Sequence, residues 1–195
     1  MIPLSSDVAL KEWAVTVQTL GQGGQILLLR KGGIHEDGKE FRVLHSQFLL
    51  FPTYEHQRPD LIKESRRRDL QSVLTREPNL ESVCFTHWAQ VEEVIELLDE
   101  SAVSRLFPYH IWTDDYVQKR LRWKPRKSLA LMLLRTYSFS PSQEVTYSPR
   151  YGGCKSWVRL ESTVSLKGLT PVMSDQAFHC AVSKIKDSLA RPLVR

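Results

Sequence analysis

The sequence predicts an α+β fold: a single compact domain (1–195) in which a mixed or antiparallel sheet is flanked by helices. Three observations lead there. Apolar residues recur at three- and four-residue steps in some segments and as short continuous runs in others, so helices and strands are interspersed. The composition, 42% hydrophobic and 25% charged over 195 residues, is that of a chain able to bury a proper core. No internal repeat, low-complexity tract or long linker divides it. The one candidate subdivision, near 108–115, separates a mixed N-terminal half from a C-terminal hairpin and helix.

Taken in order, the opening reads as a helix capped by Ser6, with Leu10, Trp13, Ala14, Val17 and Leu20 on one face and Gly21 as its left-handed C-terminal cap. Gln25–Arg30 reads as a buried strand closed by Lys31-Gly32-Gly33, and His35–Lys39 as a polar turn. A second strand starts near Phe41, and Phe48–Phe51 is a further apolar run halted by Pro52. Pro59 suits the first turn of a helix running to about Arg76, with Ile62, Leu70, Val73 and Leu74 inward, before Pro78-Asn79 breaks it. Val83–Trp88 reads as a strand. The helix expected after it puts Val91, Val94, Ile95 and Leu98 on one face and Glu92, Glu93, Glu96, Asp99 and Glu100 on a solvated one. A short helix begins near Thr113, with Asp114 and Asp115 at its positive end. Ser128–Tyr137 and the alternating Trp157–Leu166 read as strands joined by a loop over Tyr147–Gly153. A final helix after Ser174 presents Phe178, Val182, Ile185 and Leu189.

Several function classes are excluded at this level. The longest apolar run, Leu129–Leu134, has six residues against the roughly 20 a membrane span needs. The opening lacks a basic stretch followed by an apolar one. Cys84, Cys154 and Cys180 are widely spaced with no C-x-x-C pair, which excludes a zinc ribbon or thioredoxin-type motif and leaves reduced thiols. The expectation is a soluble, cytoplasmic protein with no membrane partner. With 27 basic and 22 acidic residues the net charge is +5, which permits a nucleic-acid or phosphate partner without demanding one.

Gly21-Gln22-Gly23-Gly24 has the glycines of a phosphate loop in the wrong order: the motif needs strand, glycines, helix, and here the helix comes first. Arg30-Lys31-Gly32-Gly33 is better placed, since it follows a strand and sets two cations beside a permissive backbone. The stretch from Phe51 through Tyr54, Glu55, His56 and Arg58 is the densest collection of chemically able groups. Glu55 and His56 are candidate acid and base, with His35 and His45 upstream, provided the backbone turns between Pro52 and Pro59 so that both side chains share a side. No H-E-x-x-H, G-x-S-x-G or G-x-x-x-x-G-K-[ST] occurs. The only [DE]-x-K triplet, Asp37-Gly38-Lys39, precedes Pro59-Asp60 and so does not complete a nuclease core. Cys154, beside Lys155, is a weaker candidate nucleophile. No metal site and no cofactor are predicted.

The basic segment is the strongest signal. Between Tyr116 and Gln143 stand seven cations, Lys119, Arg120, Arg122, Lys124, Arg126, Lys127 and Arg135, with no acid among them and Trp123 inside the run. Cations neutralise phosphates and aromatic faces stack bases, which is the mixture single-stranded nucleic acid requires. Arg66-Arg67-Arg68 adds a second cluster, but three consecutive helical residues spread around the helix and cannot all touch one ligand.

The phrases Ala9-Leu10-Lys11-Glu12-Trp13-Ala14, Leu27-Leu28-Leu29-Arg30-Lys31-Gly32-Gly33-Ile34 and Phe51-Pro52-Thr53-Tyr54-Glu55-His56-Gln57 resemble a bacterial family common in cyanobacteria, domain of unknown function 1802. The resemblance extends to Tyr151–Trp157 and so covers nearly the whole chain. It implies no established activity, and inclines the reading toward DNA or RNA metabolism, with restriction-type defence as its finer form. Gly21–Arg30 is also similar to the opening of the PUA and ASCH-type barrels, which bind RNA or modified bases. Gln25 and the leucines replace the Lys and Glu common there, so no residue role is carried over.

Three functions follow as expectations. The first is a nucleic-acid-binding module, with Lys119–Lys127 on phosphates and Arg30, Lys31, Tyr54 and Arg58 lining a pocket. The second is a small hydrolytic enzyme on a nucleotide-like substrate using Glu55 and His56. The third is a scaffold without ligand.

Overall fold

The computed structural model describes residues 1–31, 43–75, 81–123, 128–153 and 155–190. Strands β1 (Ser5–Trp13), β2 (Leu27–Arg30), β3 (Gln47–Thr53), β4 (Ser82–Leu97), β5 (Leu129–Thr146), β6 (Trp157–Ser165) and β7 (Thr170–Pro171) form one sheet. Its order is β2-β5-β4-β3-β1-β6, with β7 paired to β5. Helices α1 (Ala14–Gly21), α2 (Arg67–Leu74), α3 (Glu100–Arg105), α4 (Asp114–Arg122) and α5 (Asp175–Ala190) flank it. Only β1 and β3 run parallel, from Ala9 opposite Leu49 to Trp13 opposite Thr53; the other pairings are antiparallel. This is the α+β class with a mixed sheet, and strands from both sides of 108–115 share it. The expected turn at His35–Lys39, the strand start near Phe41 and the Pro78-Asn79 break lie outside the described residues.

The sheet is buried on both faces. In β3, Phe48 and Leu50 enter a large core with the helices, while Leu49 and Phe51 enter a smaller one with Val83, Phe85, Trp88, Val158 and Leu160. Successive side chains of a strand point to opposite faces, so a run of consecutive apolar residues is what such a strand requires.

That double burial explains the first departure from expectation. The segment Ser5–Trp13 is a strand, and the helix starts only at Ala14. Ala9 faces the smaller core and Leu10 the larger, and the spacing Leu10, Ala14, Val17 joins the end of a strand to a helix. Gly21 is the last residue of α1 and not a left-handed cap; the positive φ, 69°, belongs to Gly23. Gly21 is required for another reason: a Cβ there would land inside the imidazole ring of His87.

The second departure is β4. The helix expected over Val91–Leu98 is strand, continuous from Ser82 to Leu97. Register shifts fall between Phe85 and His87 and between Val91 and Glu93. At the first, the extra residues lie on β5, where Gln143 and Ser138 stand opposite Phe85 and His87. The second adds one residue to β4 and moves its alternation by one, so Val91 and Val94 both pack on the larger core and imitate a helical step. The β-branched Val91, Val94 and Ile95 favour the strand.

Two further expectations change. Pro59–Leu61 and Glu64–Arg66 are separate 3-10 turns, and the α-helix begins at Arg67. Ile62 bridges Trp112, the Lys63 amide donates to the Ile111 carbonyl, and the Thr113 amide donates to the Leu61 carbonyl; this strand-like pairing pulls 61–63 out of any helix. The expected β5–β6 hairpin does not form, since β6 pairs with β1; β5 pairs antiparallel with β4, which reaches it through α3 and α4.

Candidate functional site

The strongest concentration of buried charge lies where β1 and β2 end. Arg30, the last residue of β2, donates through Nη2 to the Lys11 carbonyl of β1 at 2.5 Å and stands 3.5 Å from the Glu12 carboxylate. Three strands separate β2 from β1 in the sheet order, so the sheet curls until these ends meet. Glu12 is 7% exposed and Arg30 11%. The second Glu12 oxygen accepts from the Trp13 amide at 2.9 Å, and Thr53 donates to the Glu12 carbonyl at 3.1 Å, which ties in the parallel neighbour β3.

Helix α4 covers this cluster. Thr113 caps it, its hydroxyl accepting from the Tyr116 amide at 3.4 Å, which sets the helix phase. Tyr116 stacks on Trp13 with centroids 5.4 Å apart and planes 24° from parallel. One turn on, Arg120 donates to the Tyr116 hydroxyl at 3.1 Å and lies 5.4 Å from its ring centroid. Lys31 donates to the Leu121 carbonyl and secures the C-terminal end of the helix.

The electrostatics follow from burial. Desolvation lowers the Arg30 pKa, the Glu12 carboxylate opposes this, and Arg120 pushes it down again. Desolvation raises the Tyr116 hydroxyl pKa, with Arg120 opposing. Burial lowers the Lys31 pKa. Two guanidiniums face one carboxylate, so the cluster carries a surplus of positive charge. The buried Arg30 Nε has no hydrogen-bond partner among the described residues. A surplus cation beside stacked rings can receive an anion attached to an aromatic group.

The other predicted residues are placed as follows. Glu55 and His56 are exposed on the turn after β3, where His56 has φ +62°. Neither hydrogen-bonds or ion-pairs with Lys31 or His45 among the described residues; His45 packs against Trp157, with ring centroids 5.1 Å apart. Tyr54 packs on the larger core. Arg58 makes a two-pronged pair with Asp60 at 2.7 and 2.9 Å in solvent. On α4, Lys119 pairs with Asp115 and Arg122 with Glu100, both at 2.7 Å and exposed. Each helical residue advances by about 100°, so Arg120 and Arg122 lie roughly 160° apart around the axis. Trp123 is 54% exposed. Arg135 is buried and anchors α5, 2.6 Å from Asp175. Lys124, Arg126 and Lys127 lie outside the described residues, as do Gly32, Gly33, His35 and Cys154.

Glu12 and Trp13 are the members that sequence reasoning missed. Their signal was a lone carboxylate in a stretch whose apolar members, Leu10 and Ala14, are buried, and reading the segment as a helix hid it. Among the described residues no three His, Cys, Asp or Glu side chains gather as metal ligands would, and no helix is long and apolar enough to cross a membrane.

The molecule is thus an α+β protein with a curled mixed sheet and a charged, ring-lined cluster at its strand ends. The chain belongs to the family described as Domain of unknown function (DUF1802), which it matches over residues 9–184. No curated protein matches it. Among solved structures it is similar to ASCH from Zymomonas mobilis, at 10% identity and a TM-score of 0.43, over 90% of this chain and 93% of that one. A serine-to-alanine variant of the Zymomonas mobilis protein gives 10% identity and 0.43, over 93% and 98% of the two chains. A tyrosine-to-phenylalanine variant gives 11% identity and 0.41, over 90% and 96%.

Proposed function

We propose that the chain is a nucleic-acid-binding module for single strands, of use in DNA or RNA metabolism. The observation that carries the reading is the Tyr116 ring, stacked on Trp13 and overlain by Arg120, beside the buried Arg30. Arg30 and Arg120 take a phosphate, the ring pair walls the site beside them, and Lys31 holds α4 in position. Lys119 and Trp123 add an exposed cation and an exposed ring on the same helix end, and Arg122, on the far side of α4, Lys124, Arg126 and Lys127 supply further positive charge in this reading. The pairs that Lys119 and Arg122 make with carboxylates are exposed and weak, so a polyanion displaces them. Tyr54 and Arg58 flank the entrance in this reading.

The test is fluorescence anisotropy with a labelled single-stranded oligonucleotide. Affinity falls by about tenfold or more between about 50 and about 200 mM salt. Arg120→Gln and the Arg122→Glu/Lys124→Glu pair each weaken binding by about tenfold at low salt. Salt-independent binding, or unchanged affinity in both variants, overturns the reading.

The left-handed backbone of His56 favours a second reading, hydrolysis of a nucleotide-like substrate with Glu55 and His56 as acid and base. Release of phosphate from nucleotides, lost in Glu55→Gln and in His56→Asn, is its expected outcome; no release rejects it.

A further inference from the structure

The strand-end cluster fixes its own charge count, and that count selects among phosphates. Arg30 and Arg120 supply two positive charges, and Glu12 supplies one negative charge 3.5 Å from Arg30 Nη2. Tyr116, packed on Trp13, keeps its proton because desolvation raises the hydroxyl pKa. Among the described residues these are the charged and titratable groups that act on Arg30. Thr53 of β3 brings no charge, and Lys31 commits its ammonium to the Leu121 carbonyl at the end of α4. The cluster on its own therefore carries one net positive charge.

Both guanidiniums keep an edge for a ligand. Arg30 is spent at Nη2 on the Lys11 carbonyl and sealed at Nε, which leaves Nη1 on a side chain 11% exposed. Arg120 uses Nη1 on the Tyr116 hydroxyl, is only partly buried, and has no partner at Nε or Nη2 among the described residues. The Glu12 carboxylate is held in place from both sides. One oxygen accepts from the Trp13 amide at 2.9 Å and the other faces Arg30.

We infer that the cluster selects an internal phosphodiester of a strand over a terminal phosphate or a free nucleotide, with Glu12 as the residue that sets the preference. The inference rests on the nucleic-acid reading above and names the kind of phosphate that site takes. A phosphodiester carries one negative charge and makes the set neutral. A phosphate monoester near neutral pH carries close to two, and leaves a charge unmatched in a site largely withdrawn from water. Its second charge also adds to that of the Glu12 carboxylate, and like charges repel strongly where water is displaced. A protein built this way grips a strand along its length and passes over its ends.

The experiment is an NMR titration of the ¹⁵N-labelled protein, read at the amides of Glu12, Trp13, Arg30, Tyr116 and Arg120. Its two probes share one base: the thymidine dinucleoside monophosphate, with a single internal diester, and thymidine 5′-monophosphate. At about pH 8 the diester binds about tenfold more tightly. At about pH 5.5 most of the monoester carries a single charge, so its affinity rises by about tenfold while that of the diester stays level. Glu12→Gln, which keeps an oxygen for the Trp13 amide, cuts the preference at about pH 8 to about twofold or less. The pH profile of the wild-type protein tests the preference even where the variant folds poorly. Equal affinities at about pH 8, tighter binding of the monoester, a flat monoester profile, an unchanged preference in folded Glu12→Gln, or no saturable shift with either probe overturns the inference. A labelled single-stranded oligonucleotide titrated alongside separates the two failures. Salt-sensitive binding of the oligonucleotide without the preference defeats the selection by charge alone, and no binding of the oligonucleotide defeats the nucleic-acid reading with it.

Discussion

Two regions of this protein hold comparable inventories of reactive side chains and treat them in opposite ways. At the ends of β1 and β2, Glu12, Arg30, Tyr116 and Arg120 are drawn together, partly desolvated and braced by backbone atoms. On the turn after β3, Glu55, His56 and Arg58 stand in solvent, and Arg58 is occupied with Asp60. Residue type alone does not make a site. Convergence and burial do, because a charge removed from water interacts strongly with whatever reaches it.

The sharpest way to break this comparison is to remove one charge from each region. Arg30→Met leaves the buried Glu12 carboxylate without its partner and lowers stability by about 3 kcal/mol, read by urea unfolding. Adding Glu12→Gln recovers most of that loss, since no uncompensated charge remains. A single variant that unfolds at the wild-type midpoint removes the claim that the pair is buried. Next in size is Gly21→Ala, whose methyl group meets the His87 ring and lowers stability by about 2 kcal/mol in the same assay.

A pH effect of similar origin lies nearby. Burial first, and then the Lys63 ammonium, hold the His110 pKa at about 3, below its ordinary 6.5. The unfolded chain therefore binds a proton that the folded one refuses between about pH 6.5 and 3. Stability is fully present above that window and falls as the pH drops through it, at up to about 1.4 kcal/mol per pH unit. His110→Phe flattens this acid limb; a limb of unchanged slope refutes the assignment. The smallest effect is expected on the exposed turn, where Arg58→Met leaves the unfolding midpoint unmoved.

Legibility in the sequence followed the same division. The closing helix was readable because Phe178 and Ile185 are buried on one face of a solvated cylinder. So was α4, announced by Thr113 and two aspartates. Strand β1 was not, because its two buried faces belong to different cores and consecutive apolar residues carry no period of two. Strand β4 was misread because the bulge after Val91 converts alternation into a step of three, from Val91 to Val94. Arg30 and the cations of α4 were identifiable as candidates, whereas Glu12 and Trp13 joined the cluster only once the sheet curled. That curvature is a property of all the strands together and is written in no single stretch of sequence.

The packing of Gly21 against His87 has a consequence for the family. Positions 21 and 87 share one fixed allotment of space, so their sizes must covary: a relative with a side chain at the first needs a small residue at the second. In this chain, Gly21→Ala combined with His87→Ser should therefore be milder than Gly21→Ala alone.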